Sequence, residues 1–153
     1  IFFSGTFGGE TLSLTAALAT ITKLEKINAP EVFKRIGKNM HNEVQNIITD
    51  FELDDIVSMT GVDWWPRFSV DAYGDNSQIE MTTLLRQELI KQGIFIGGGF
   101  NLSIAHDDDD IISDTLYGVR QSFEKFSTYL KAGNPMSNLQ GELIKPVFQV
   151  RST

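Results

Sequence analysis

The sequence has no cysteine, only four prolines, and no apolar run near the roughly 20 residues that a membrane-spanning helix requires. Without cysteine, disulfide frameworks and thiolate metal sites are excluded, and the absence fits a reducing cytoplasm. Basic residues are outnumbered, 13 against 20 acidic ones, which gives a formal net charge of −7. Because nucleic-acid binding needs a concentrated basic face, we expect no nucleic-acid partner. The lack of cysteine and of a long apolar run leads us to expect a cytoplasmic protein without a membrane partner.

What the sequence does contain is typical of one soluble globular domain. Its 153 residues are 41% hydrophobic and 22% charged, enough apolar material for a core and too much for a disordered chain. The chain opens with Ile1-Phe2-Phe3-Ser4, without an initiator Met or the charged start of a signal peptide. This opening is typical of the middle of a structured element, so we expect a fragment or a processed chain.

Four stretches show the periodicity of amphipathic helices, in which apolar side chains recur every three or four residues. They cover approximately residues 11–27, 28–51, 76–92 and 112–132. Asn28 is expected to cap the second helix, with Pro30 in its first turn. Gly93 and Gly133 are expected to end the third and fourth helices.

Strand signals lie between the helices. Residues 67–73 and 101–106 alternate apolar and polar side chains, and the short apolar runs 56–59 and 94–96 could pair with them. Residues 146–150 are a candidate edge strand. The sequence therefore predicts an α/β or α+β fold, in which helices cover a small mixed sheet.

A glycine-rich loop, Ser4-Gly5-Thr6-Phe7-Gly8-Gly9, precedes the first helix. Glycines let backbone N–H groups converge and a helix N-terminus favours an anion, so phosphate is the natural ligand of such a loop. The loop has neither the Gly-Lys-Ser/Thr ending of a P-loop nor the Gly-x-Gly-x-x-Gly spacing of a dinucleotide site. An ordinary turn is the alternative interpretation.

Other candidate groups have simpler structural interpretations. The four aspartates 107–110 suit the start of a helix better than a calcium loop. His41 and His106 lie in no metal-ligand spacing. Trp64-Trp65-Pro66 is either a stacking platform or, more commonly, a set of buried aromatics. The run Gly97–Gly99 indicates backbone that a ligand or a neighbouring chain approaches closely. No nucleophile, base or metal cluster is complete.

Two stretches taken together resemble class III pyridoxal-phosphate-dependent aminotransferases, most closely the glutamate-1-semialdehyde 2,1-aminomutase-like branch. The first is Phe-Ser-Gly-Thr-Phe-Gly-Gly-Glu-Thr at residues 3–11, which runs into the Ala-rich helix. The second is Gly-Ile-Phe at 93–95, then Phe-Asn-Leu-Ser-Ile-Ala-His at 100–106 and the helix start Asp-Asp-Asp-Asp-Ile at 107–111. Their order and separation also match, and the resemblance covers roughly residues 2–130.

The resemblance implies the C-terminal domain of a fold-type-I enzyme, a homodimer whose N-terminal large domain carries pyridoxal 5'-phosphate on a lysine. It implies amino-group transfer between a small-molecule amino donor and a carbonyl acceptor, through a cofactor aldimine. Residues 1–27 become the cofactor-phosphate segment and linking helix, 28–133 an α+β small domain with a mostly antiparallel sheet, and 134–153 a C-terminal extension. Gly5 and Thr6 match the pair that contacts the cofactor phosphate, commonly across the dimer interface. No residue is assigned a catalytic or metal-binding role.

Departures from the family pattern limit what the chain can do alone. The family's Schiff-base lysine lies upstream of the Ser-Gly-Thr segment, whereas the first lysine here is Lys23. We therefore expect the chain to be inactive without the large domain. Gly98 falls where aminomutases tend to carry an acidic residue, which suggests a substrate other than glutamate semialdehyde, such as a sugar. The alternative function is a non-enzymatic α/β protein-interaction module.

Overall fold

A computed structural model of the chain describes residues 5–6 and 8–145, which form four long helices and one β-hairpin. The elements are α1 (Thr11–Lys26), α2 (Ala29–Asp50), β1 (Val57–Val62), β2 (Trp65–Val70), α3 (Gln78–Lys91) and α4 (Asp109–Lys131), with 3₁₀ turns at Ile104–His106 and Pro135–Asn138. All four predicted helices are confirmed, and the helices packed with a hairpin make a small α+β domain. The candidate edge strand at 146–150 lies outside the described residues.

The sheet in the described part of the chain is a two-stranded antiparallel hairpin. Val57 pairs with Val70 and Val62 with Trp65, so a two-residue turn joins the strands. The expected strand at 67–73 starts earlier and ends at Val70, and the run at 56–59 falls at the start of β1. Antiparallel pairing is confirmed, but the sheet is smaller than predicted.

Two predicted strands, at 94–96 and 101–106, are wrong. The backbone makes one hydrogen bond to β2, from the Phe100 N–H to the Pro66 carbonyl over 2.9 Å, and then turns away. The His106 N–H donates to the Ser103 carbonyl over 3.0 Å, which closes a 3₁₀ turn, and the His106 Nδ1 accepts the Ser103 N–H over 2.8 Å. The apolar side chains around this segment pack from irregular backbone instead of from a ladder.

The core lies between α2, α3, α4 and the hairpin. The predicted apolar faces of α2 and α4 point into it, and α3 contributes Met81, Leu84 and Leu85. The ring of Phe68 on β2 meets Phe123 of α4 edge to face, with centroids 6.4 Å apart. Such aromatic contacts bury large apolar areas, so α4 and the hairpin stabilise each other.

The helix ends follow the sequence signals with one exception. Ser77 and Glu80 form a reciprocal capping box at the start of α3, and Gly93 and Gly133 adopt positive φ after α3 and α4, as expected. Asn28 is the exception, because its side chain makes no capping bond and its φ is 51°. Only two residues separate α1 from α2, and the left-handed conformation of Asn28 changes the direction of the backbone within that short link.

Residues 139–145 run along α3 and are held there by side chains. The Gln87 amide accepts the Gln140 N–H over 2.7 Å and donates to the Asn138 carbonyl over 3.0 Å. The Thr83 hydroxyl accepts the Ile144 N–H over 3.3 Å. The backbone of residues 138–144 is therefore bonded to side chains of α3 and not to a strand, and these bonds hold the segment against the helix.

Helix α1 contributes no buried residue. Its predicted apolar stripe is present, but Leu14, Leu18 and Ile21 are each more than half exposed. Among the residues that the structure describes, no helix combines the length and the apolar character that crossing a bilayer requires.

Candidate functional site

The described residues of the glycine-rich loop, Gly5, Thr6, Gly8 and Gly9, lie at a turn shortly before α1. The Gly8 N–H donates to the Gly5 carbonyl over 3.1 Å, and Gly5 and Thr6 are both exposed. Within the described residues, the Thr6 hydroxyl makes no hydrogen bond. The loop thus presents a hydroxyl and backbone groups to the outside of the domain.

Glu10 occupies the N-terminus of α1 with its own carboxylate. Its Oε1 accepts the Leu12 N–H over 3.1 Å and its Oε2 accepts the Ser13 N–H over 2.7 Å. Hydrogen bonds from the Ser13 side chain and backbone hold the pKa of Glu10 below its ordinary value. The sequence left an external anion and an ordinary turn open at this helix start, and the N–H groups of Leu12 and Ser13 bind the carboxylate of Glu10. A phosphate at this end of the molecule would therefore depend on Gly5 and Thr6.

The four consecutive aspartates begin α4, as predicted. Asp108 is the N-cap, and its Oδ1 accepts the N–H groups of Asp110 and Ile111 over 3.0 and 3.2 Å. Asp107 forms an ion pair with Arg35 over 2.6 Å. In the part of the chain that the structure describes, no three histidine or acidic side chains group closely enough to hold a metal ion.

His106 has the structural role that the sequence favoured. Its Nδ1 also lies 3.0 Å from the Ser103 hydroxyl, in addition to accepting the Ser103 N–H. The ring therefore stabilises the turn that leads into α4. His41, the other histidine, lies half-buried on α2.

Trp64 and Trp65 are not the buried aromatics that the sequence favoured, since they are 59% and 46% exposed. Both sit at the turn end of the hairpin, where fewer elements can cover them. The Trp65 Nε1 donates to Asn101 Oδ1 over 3.1 Å, and the Arg67 guanidinium lies over the Trp65 ring, 5.0 Å from its centroid. This hairpin end is a preformed platform of an indole and a guanidinium.

The run Gly97–Gly99 is approached closely, but by side chains of the same chain. The Arg67 Nε donates to the Gly98 carbonyl over 3.0 Å, and the Arg86 Nη2 donates to the Gly97 carbonyl. A Cβ at position 99 would lie 2.6 Å from the Arg67 Cγ and 3.0 Å from the Pro66 carbonyl oxygen. The glycines thus make room for arginines that the sequence analysis did not single out.

The missed arginines left a faint signal in the sequence. On α3, none of the residues three or four positions before or after Arg86 is acidic. On the hairpin, the cross-strand partner of Arg67 is Thr60, which carries no charge. Such arginines lack the local carboxylate partners that helix and strand spacing normally supplies. Their convergence on one loop becomes visible only in the folded chain.

Comparison with known proteins gives two relatives and no family model or solved structure that matches. The chain is 26% identical to glutamate-1-semialdehyde 2,1-aminomutase of Hyperthermus butylicus in a 139-residue alignment, which covers 82% of this chain and 31% of the relative. It is 25% identical over 114 residues to an uncharacterized aminotransferase of Schizosaccharomyces pombe, covering 71% of this chain and 26% of that protein.

The chain is therefore a distant relative of aminotransferase and aminomutase enzymes. Within that class, the resemblance to glutamate-1-semialdehyde 2,1-aminomutase inferred from residues 3–11 and 93–111 is confirmed. The chain spans less than a third of the length of either relative.

Proposed function

We propose that this chain is the C-terminal portion of a class III pyridoxal-phosphate-dependent aminotransferase or aminomutase. The similarity to an aminomutase over 82% of the chain carries the proposal, together with the order and spacing of the two motifs. The match spans only 31% of that relative, which fits a parent enzyme whose large domain lies outside this sequence.

In the parent enzyme, Gly5 and Thr6 would hold the phosphate of the cofactor. They fit this role because they are exposed, and because a hydroxyl beside flexible backbone suits a group with three acceptor oxygens. The Glu10 carboxylate already accepts the N–H groups of Leu12 and Ser13 at the start of α1, so the phosphate would be bound by the loop and not by the helix end. Outward exposure also suits a contact made to the partner subunit of a homodimer.

The cofactor supplies an electron sink for amino-group transfer and needs a lysine amine to attach it. Lys23, the first lysine in the sequence, follows the Gly5–Thr6 loop within α1. No lysine stands ahead of the loop, where the resemblance places the one that binds the cofactor. The proposal therefore includes that this chain is inactive alone and acts with a large domain.

The exposed stripe of α1 is the surface proposed for that large domain. Leu14, Leu18 and Ile21 project from a helix that contributes nothing to the core of the small domain. Burying side chains of this size stabilises an interface by roughly 1.5–3 kcal/mol each when the burial is complete. A lone interaction module could use the same stripe, and the cofactor experiment below separates the two functions.

The decisive experiment compares cofactor attachment in this chain and in the parent enzyme. Each is incubated with pyridoxal 5'-phosphate, reduced with borohydride and mapped by peptide mass spectrometry. We expect the parent to be labelled at one lysine upstream of Gly5, and this chain to show no saturable labelling. Saturable labelling of a single lysine within this chain, or a parent that does not bind the cofactor, would contradict the proposal.

Two variants of the parent test the role of the loop. Thr6→Val removes the proposed phosphate ligand, and we expect the Kd for the cofactor to rise about tenfold, or about 1.4 kcal/mol. Thr15→Val is the matched control, because the Thr15 hydroxyl only bonds the Thr11 carbonyl within α1. Equal cofactor affinities in the Thr6→Val and Thr15→Val variants would show that Thr6 does not bind the phosphate.

The amino acceptor is a separate part of the proposal. A glycine at position 98, in place of an acidic residue, favours an acceptor other than glutamate semialdehyde. Amino transfer by the parent is measured with glutamate semialdehyde and with keto sugars. Preference for the keto sugars supports this part, and preference for glutamate semialdehyde overturns it while leaving the cofactor assignment intact.

A further inference from the structure

We propose that Arg67 and Arg86, held by the loop Gly97–Gly99, form a binding site for an oxyanion, the carboxylate or phosphate group of an organic ligand. This site goes beyond the proposed function, because it is argued from two arginines outside the Gly5–Thr6 loop and needs no cofactor. The loop that holds the arginines includes Gly98, the position that the proposed function connects with the amino acceptor. Its basis is the charge, the placement and the surroundings of the two guanidinium groups.

The two arginines carry charge that the chain leaves unpaired. Of the other arginines in the described residues, Arg35 pairs with Asp107 and Arg120 with Asp50. Neither Arg67 nor Arg86 has a carboxylate partner there, and every aspartate and glutamate of the sequence belongs to that part of the chain. In a protein with a net charge of −7, this makes the glycine loop a local centre of positive charge.

Both guanidinium groups are fixed in place by neutral partners. Arg67 uses its Nε to bond the Gly98 carbonyl and stacks on Trp65, and Arg86 bonds the carbonyl of the preceding residue, Gly97. The bonds of Arg67 leave the N–H groups of both its Nη atoms without an acceptor in the described part of the chain. A guanidinium held in this way loses little further entropy when it binds a carboxylate or phosphate through paired N–H groups.

The glycines keep the space beside the arginines open. A Cβ at Gly98 would lie 3.7 Å from the Arg67 Nη2, and at Gly97 it would meet nothing within 4 Å. Only Gly99 is packed tightly, where it lets the Arg67 side chain cross the loop. The loop therefore positions the arginines without covering them.

An apolar cavity next to the loop suits the organic part of the ligand. The cavity has a volume of about 540 Å³, and Arg86 and Gly97 line it together with the apolar side chains of Ile90, Phe95 and Leu139. Lys91 and Glu142 also line it, so the acidic group of the ligand is expected at the arginines and away from Glu142. Apolar walls lower the local dielectric and strengthen the attraction between a guanidinium and an anion. A small organic acid, with its acidic group at the arginines and its carbon skeleton in the cavity, matches both features.

The test measures anion binding to the chain itself, in the absence of cofactor. The indole N–H resonances of Trp64 and Trp65 are followed by NMR during titration with succinate, with inorganic phosphate, and with sodium chloride at equal ionic strength. We expect a saturable shift of the Trp65 resonance with succinate or phosphate and none with chloride. Shifts that do not saturate, or that chloride reproduces, would overturn the site.

Variants then locate the binding. Arg67→Gln and Arg86→Gln should each raise the Kd about fivefold or more, whereas Arg35→Gln, which removes an ion-paired arginine, should leave it unchanged. Arg67→Lys keeps the charge but not the paired N–H groups, so it should weaken binding less than Arg67→Gln and covers the case in which the glutamine variant unfolds. Binding that persists in both glutamine variants would contradict the proposal.

A further control separates this site from the proposed cofactor loop. Thr6→Val should not change the succinate or phosphate titration. Loss of phosphate binding in Thr6→Val alone would assign the anion to the Gly5–Thr6 loop and reject the arginine site. Because no arm of the test uses pyridoxal 5'-phosphate, the site fails or stands independently of the proposed enzyme class.

Discussion

The hydroxyl of Ser127 donates a hydrogen bond to the carbonyl of Phe51 over 3.0 Å, and this bond joins the C-terminal part of α4 to the end of α2. Ser127 is buried, so its hydroxyl satisfies a helix-end carbonyl that has no partner further along α2. Two helices that are distant in sequence are thereby fixed end to side.

Removing this bond should destabilise the domain measurably. We expect Ser127→Ala to lower the free energy of unfolding by about 1–3 kcal/mol, because the Phe51 carbonyl loses its partner in a buried place. Urea denaturation followed by circular dichroism measures the change. Thr128→Val is the control, since its exposed hydroxyl bonds only the Glu124 carbonyl of the same helix, and it should change stability by less than about 0.5 kcal/mol.

Two neighbouring glycines should respond differently to the same substitution. Gly99→Ala places a Cβ 2.6 Å from the Arg67 Cγ and 3.0 Å from the Pro66 carbonyl oxygen, so we expect a loss of about 1–3 kcal/mol of stability. Gly98→Ala meets only the Arg67 Nη2, at 3.7 Å, and should be nearly neutral. Thermal denaturation of both variants measures the difference, and equal melting temperatures would show that the loop is not packed against β2.

The capping box of α3 should make stability depend on pH. Hydrogen bonds from the Ser77 side chain and backbone hold the pKa of Glu80 below its ordinary value of 4.5. Since the folded pKa is the lower one, the contribution is complete above the ordinary value and is lost as the pH falls through the folded pKa. Glu80→Gln should therefore flatten the dependence of unfolding free energy on pH in this acidic range.

Ser77→Ala provides the matching measurement. It removes the hydroxyl that bonds Glu80 but leaves the Ser77 N–H bond to Glu80 Oε2 over 2.7 Å, so it should flatten part of the same pH range. Adding Glu80→Gln to it should then change stability less than Glu80→Gln does alone. Denaturant midpoints measured between about pH 3 and pH 6 give both profiles. Independent, additive effects of the two substitutions would contradict the reciprocal cap.

The exposed stripe of α1 should cause self-association of the isolated chain. Leu14 and Leu18 are 56% and 66% exposed on one face of a helix with no buried residue, and apolar surface of this kind promotes association. Light scattering should show a mass above that of the monomer that rises with concentration. Leu14→Ser with Leu18→Ser should lower it, whereas Thr15→Ser, a small polar change on the same helix, should not. A monomer at high concentration would refute the prediction.

Sequence periodicity was sufficient for the helices, because the apolar repeat within residues 112–132 and the glycines that end α3 and α4 are local signals. Residues 101–106 show why strands were harder to predict. Their alternating pattern satisfied a local rule, but a strand also needs a neighbouring strand, and the backbone bond from the His106 N–H to the Ser103 carbonyl closes a turn instead. The hydrophobic pattern correctly predicted that the apolar side chain of Leu102 packs against the core, but it did not determine the secondary structure of this segment.

The candidate site divides in the same way. Gly5, Thr6 and the acidic start of α4 could be found because each lies in one continuous motif. Arg67 and Arg86 are 19 positions apart and meet only through the loop Gly97–Gly99, so no local spacing joins them. The triglycine run revealed that something came close, and the fold was needed to show that it was a pair of guanidinium groups.

Asn28 lies in the two-residue link at the C-terminal end of α1, so its backbone angles affect the direction in which the whole helix points. Helix α1 has 16 residues and is therefore about 24 Å long, so a rotation of about 20° at its C-terminal link would displace its opposite end by about 8 Å. Thr6 rides at that opposite end. A small change in the backbone angles of Asn28 would therefore change the position of the Gly5–Thr6 loop relative to the rest of the domain.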